Sequence, residues 1–68
     1  MLNLDDFVPV SEDTPPPAKP YKFLSADVEI ALEDGCVVIG FYDYHKQKFR
    51  LSSNLKLIKT RAIAWRDL

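Results

Sequence analysis

Apolar and polar residues alternate on both sides of Asp34-Gly35. Val28, Ile30 and Leu32 precede the pair at every second position, and Val37, Ile39 and Phe41 follow it in the same way. Period-two alternation marks a half-buried β-strand. An Asp-Gly pair between two such runs predicts a hairpin with a two-residue type I′ turn, which needs positive φ at both central positions. With Glu33 and Cys36 flanking the turn, Leu32 faces Val37, Ile30 faces Ile39 and Val28 faces Phe41. All six then share one side of the ribbon, and a one-residue slip would scatter them over both. The strands drawn this way are Asp27–Leu32 and Cys36–Tyr42.

A third strand, Lys48–Leu51, follows the polar segment Asp43–Gln47. A loop of three or five residues keeps Phe49 and Leu51 on the side of Phe41 and Ile39, whereas four residues turn them over, so an odd loop is expected. Ser52-Ser53-Asn54 breaks the pattern. Residues 52–60 stay open between a short serine-capped helix using Leu55, Ile58 and Ala62 and a strand using Leu55 and Leu57. Arg61–Trp65 reads as a last strand with Ile63 and Trp65 on one side. The expected core face is Val28, Ile30, Leu32, Val37, Ile39 and Phe41, joined by Phe49 and Trp65. Gly40, opposite Glu29 in this register, marks a bulge or the close approach of another backbone, for which the N-terminal arm is one source.

Residues 1–20 form an extended Pro-rich arm. Pro9, Pro15, Pro16, Pro17 and Pro20 remove backbone donors and exclude a helix. Pro15–Pro17 are expected in polyproline II, and Pro17 and Pro20 carry the spacing of a proline-rich ligand. Phe7, Val8 and Val10 let the arm pack on the sheet or add a short edge strand at Phe7–Val10. Tyr21–Ser25 is an aromatic run leading into the hairpin. The chain thus divides into an arm, 1–20, and a single β-rich domain, 21–68. The fold class is all-β or β-dominated, a small antiparallel meander of three to five strands, with an SH3-like curl left open.

Size adds a constraint. A 68-residue chain has a thin core, and its one cysteine forms no internal disulfide. Self-association or a protein partner is therefore expected. No apolar run is long enough to span a bilayer, and the acidic start lacks the features of a signal peptide, so the reading is cytoplasmic with no membrane role.

Charge is unevenly placed. Residues 1–43 carry nine acids and two bases, whereas residues 44–68 carry seven bases and one acid. Acidic and basic strands lying side by side would neutralise each other, with Glu29, Glu33 and Asp34 as the expected acidic partners. The other reading is a nucleic-acid surface on the basic segment 44–66, where Tyr42, Tyr44, Lys46, Lys48 and Arg50 interleave aromatic and cationic side chains. These five are the contact candidates for a nucleic acid or a protein partner. The mildly acidic composition weighs against a committed nucleic-acid binder.

Catalytic chemistry has little to build on. His45, the one histidine, sits in a polar turn among lysines without an evident nucleophile. Cys36 stands beside acids that raise a thiol's pKa. Asp43 and His45 are too few for a closed metal site, and no Gly-rich phosphate loop exists. No enzymatic activity, cofactor, metal or small-molecule substrate is expected.

Two resemblances enter here. Phe7–Pro15, Gly40-Phe41-Tyr42-Asp43 and Ala64-Trp65-Arg66-Asp67-Leu68 resemble the opening, middle and close of a small phage and prophage family of unknown function. Its members open on W-I-x-V-x-x-x-L-P and close on H-W-x-x-L-P; Phe7 and Ala64 stand where the family has tryptophan and histidine. The resemblance implies a phage-encoded accessory or host-directed factor, or a subunit of a larger assembly, in a bacterial cytoplasm. Val28–Gly40 is also similar to the first motif of Sm-like RNA-binding proteins. Their nucleotide pocket has no counterpart in Tyr42–Leu51, so no function carries over.

Overall fold

The computed structural model describes residues 5–18 and 23–68. Among these residues five strands form one antiparallel sheet: β1 (Val8–Pro9), β2 (Val28–Leu32), β3 (Val37–Asp43), β4 (Lys48–Leu51) and β5 (Ala62–Asp67), in the order β1-β5-β2-β3-β4. The meander proper is β2–β4. The chain then crosses to the far side of β2, where β5 pairs, and β1 of the arm closes that edge. The fold is all-β, as expected. The proposed boundary at 20 and 21, with Pro20 and Tyr21, lies outside the described residues.

The hairpin lies where Asp34-Gly35 places it, but its register differs by one residue. Ala31 faces Val37, Ile30 faces Val38, Glu29 faces Ile39 and Val28 faces Gly40. The cause is the turn. Gly35 has φ +92°, whereas Asp34 is not among the residues with positive φ. The Gly35 N–H donates to the Leu32 carbonyl (3.0 Å), and the Leu32 N–H to the Cys36 carbonyl (2.8 Å). That is a three-residue loop ending on a left-handed glycine rather than a type I′ turn. Glycine enters the left-handed region without steric cost, so the left-handed step falls on Gly35 rather than Asp34 and the loop takes in Glu33.

The slip changes which residues are inside. Val37 and Ile39 stand on the outer face, 42% and 51% exposed. Phe41 is buried, but on the same outer side, opposite Arg50. Val38 and Tyr42 take the inner positions instead and pack on Val28, Ile30, Leu32, Phe49 and Trp65. Phe49 joins this cluster through a second departure: Asp43 faces Lys48, so the loop is the four residues 44–47. The two parity errors cancel for β4. Gln47, at φ 54°, supplies the left-handed step that closes the loop, and Asp43 accepts the His45 and Lys46 N–H groups at 2.9 and 3.2 Å.

β5 is also irregular. Ala31 faces Ala64 and Leu32 faces Ala62, so Ile63 is the extra residue of a bulge. The bulge separates Ile63 from Trp65. Trp65 belongs to the inner core, while Ile63 packs on a second cluster of Phe7, Ala31 and Ala64 on the outer face. Residues 52–60 form neither helix nor named strand: Ser52–Asn54 turn, and Leu57 bridges to Arg50.

The arm is integral to the molecule. Phe7 covers Ala31 and Ala64, Val8 and Val10 pack on the inner core, and Pro15 is fully buried. The Trp65 indole N–H donates to the Asp13 carbonyl (3.1 Å), and the Tyr44 hydroxyl to the Pro15 carbonyl. Val10, next to β1, and Phe49 of β4 come from opposite edges of the sheet yet line one hollow, so the sheet curls around its core.

Candidate functional site

The curl leaves a hollow of about 310 Å³ between β4 and the segment leading into β5. Its apolar lining is Val10, Tyr42, Phe49, Ile58 and Ala62, and its polar lining is Gln47, Lys48, Lys59, Thr60 and Arg61. Among the described residues the lining therefore holds three cations and no carboxylate. Each wall has a local cause. The Ile58 N–H donates to the Phe49 carbonyl (3.0 Å), and the Glu33 N–H to the Arg61 carbonyl (2.9 Å). Residues 58–61 are thus pinned at one end to β4 and at the other to the hairpin loop. The Val10 N–H donates to the Ile63 carbonyl (3.0 Å), which brings the arm to the rim.

The floor is aromatic and interlocked. Tyr42 meets Phe49 at 4.9 Å between centroids with the planes at 66°, and Tyr44 at 4.8 Å with the planes at 86°. Edge-to-face pairs of this kind are favourable. Burial, then the neighbouring Tyr44 and Asp43, raises the Tyr42 phenol above its ordinary value.

The five contact candidates separate. Tyr42 and Lys48 line the hollow. Tyr44 does not line it but meets Tyr42 edge to face and is tied to the arm through Pro15. Lys46 is exposed on the loop and does not line the hollow. Arg50 is committed elsewhere: its Nε donates to Asp43 Oδ2 at 2.7 Å and an NH group to the Leu55 carbonyl at 2.7 Å. Ile58, Lys59, Thr60 and Arg61 complete the wall; the first three fall in the ambiguous stretch 52–60, and Arg61 opens the expected last strand. Three positive charges at Lys56, Lys59 and Arg61 were the available signal.

Opposite charges do pair across the sheet, though mostly through other partners than those expected. Arg66 stands opposite Glu29 and binds it at 2.8 Å, with the guanidinium 4.7 Å from the Phe7 ring centre. Asp43 pairs with Arg50, and the Arg50 hydrogen bond holds its carboxyl below the ordinary value against the opposing effect of burial. Asp34 instead accepts the Cys36 N–H at 3.0 Å.

The reactive residue types lie away from the hollow. His45 rests on Phe23, 4.2 Å between ring centres. Cys36 is exposed at the hairpin, where the hydrogen bond to Asp34, then its charge, raises the thiol above its ordinary value. Among the described residues no three His, Cys, Asp or Glu side chains gather as for a metal, and no helix is long and apolar enough to cross a membrane. The chain was also compared with family models, curated proteins and solved structures, and none of them matches it.

Proposed function

We propose that the chain is a small, non-enzymatic interaction domain that engages a protein partner through the hollow between β4 and residues 58–61. The observation that carries this reading is the lining: an aromatic and aliphatic floor, three cations and no acid. Concave apolar surfaces with a few convergent polar groups are where ligands are held. His45 and Cys36, the residues best suited to general base or nucleophile chemistry, stand outside it. The setting we infer is a bacterial cytoplasm, as a phage-encoded accessory or host-directed factor or as a subunit of a larger assembly; the terminal motifs support it.

Site-specific photo-cross-linking in host lysate tests the proposal. A cross-linker at Lys59 should trap one dominant partner that is lost on Arg61→Glu, while one at Glu29 on the outer face should not. Equal trapping from both positions would overturn the proposal. So would an adduct abolished by nuclease, which would favour nucleic-acid binding through 44–66.

A further inference from the structure

We infer that the occupant of the hollow is an acidic segment of the partner protein, with one apolar side chain on the floor and a carboxylate close by in sequence. This deepens the reading above and rests on it. Lys48, Lys59 and Arg61 are exposed, and none makes an ion pair among the described residues. Asp43, the acid opposite Lys48 in the sheet, has both oxygens engaged, one by Arg50 and the other by the His45 and Lys46 N–H groups. Around the floor, positive charge is thus left without a local partner, and a carboxylate would complement it.

Size and ring geometry choose the kind of anion. At about 310 Å³ the hollow is at the small end of ligand sites, which suits one anchoring side chain. A single-stranded nucleic acid needs successive bases stacked on open aromatic faces along a charged track. Tyr42, Tyr44 and Phe49 instead interlock at steep angles. Arg50, which would extend a track, is tied to Asp43 and Leu55. The 58–61 wall is already held by its two backbone hydrogen bonds, so a short segment would find the site formed and bind with less ordering cost.

The test is selection of the full chain against a bead-displayed library of random short peptides, with a short oligothymidylate as the nucleic-acid probe. Bound peptides should be enriched in Asp or Glu within two residues of Leu, Ile or Phe. Replacing the acids by their amides should weaken a selected peptide by about tenfold or more, as should Lys59→Gln with Arg61→Gln. Backbone amide NMR spectra serve twice, confirming that the double variant keeps its fold and locating the peptide. Binding at the hollow without acid preference overturns this inference and leaves the proposed docking site standing. Acidic peptides seated elsewhere, such as over Val37 and Ile39, overturn both. No peptide enrichment, or tighter binding of oligothymidylate, overturns the inference.

Discussion

At the residue scale, Gly35 sets the hairpin register by taking the left-handed step, and Gly40 lets β4 approach β3. Gly40 has no room for a side chain: a Cβ there would lie 2.1 Å from the Arg50 carbonyl oxygen and 2.9 Å from Ile30 Cδ1. The alternation in the sequence hides this, because it treats Gly40 as an outward gap between Ile39 and Phe41. The close backbone approach expected there exists, but it comes from β4 rather than from the arm. Gly40→Ala should therefore destabilise the fold by at least about 1–3 kcal/mol, the usual range for overpacking, since the clash is with backbone. Ile30 and Ile39 give the complementary test. Ile30 is fully buried, so Ile30→Ala should cost about 2–5 kcal/mol. Ile39→Ala should stay within about 1 kcal/mol, the span of strand propensity. Urea midpoints of the two variants check this; equal losses would restore the type I′ register.

At the scale of elements, strand positions were legible and their parity was not. Lys48–Leu51 is found as expected, and the hairpin strands lie within a residue of their expected ends. Alternation fixes a strand, but the face it shows depends on loop length, and loops are decided by one or two residues such as Gly35 and Gln47. The β3–β4 loop shows how. Asp43 caps it through the His45 and Lys46 N–H groups and anchors Arg50, making four residues a stable length. Because the folded Asp43 carboxyl lies below its unfolded value of about 3.9, its contribution is complete above that pH. It is lost as the pH falls through the lower folded value. Thermal unfolding from pH 6 downward should show the wild type losing stability below about pH 4 and Asp43→Asn losing less over the same range. An identical pH slope in both proteins would mean the pair contributes nothing to folding.

At the scale of the whole molecule, the site became visible only once the chain had curled. Its lining joins Val10 from the arm, Tyr42 from β3, Phe49 from β4 and Ile58 from an irregular segment, and no local pattern links these four. Sheet edges tell the same story. An open hairpin edge invites strand addition. Here residues 56–58 cover β4 through the Leu51-to-Lys56 and Ile58-to-Phe49 hydrogen bonds, and β1 covers β5. The arm thus serves as edge cover, rim of the hollow and lid of the outer cluster. Phe7 concentrates these roles: it is buried on Ala31 and Ala64, and Arg66, held by Glu29, packs over its ring. Phe7→Ala should cost about 3–5 kcal/mol, the range for a buried phenylalanine, and a core this small has little stability to lose. Trp65 reports the outcome, since its indole is buried and bonded to Asp13 of the same arm. A red-shifted emission and an early, broad melting transition are expected. A variant that keeps the native emission and midpoint would show that the sheet stands without its arm and that the rim at Val10 is dispensable to the fold.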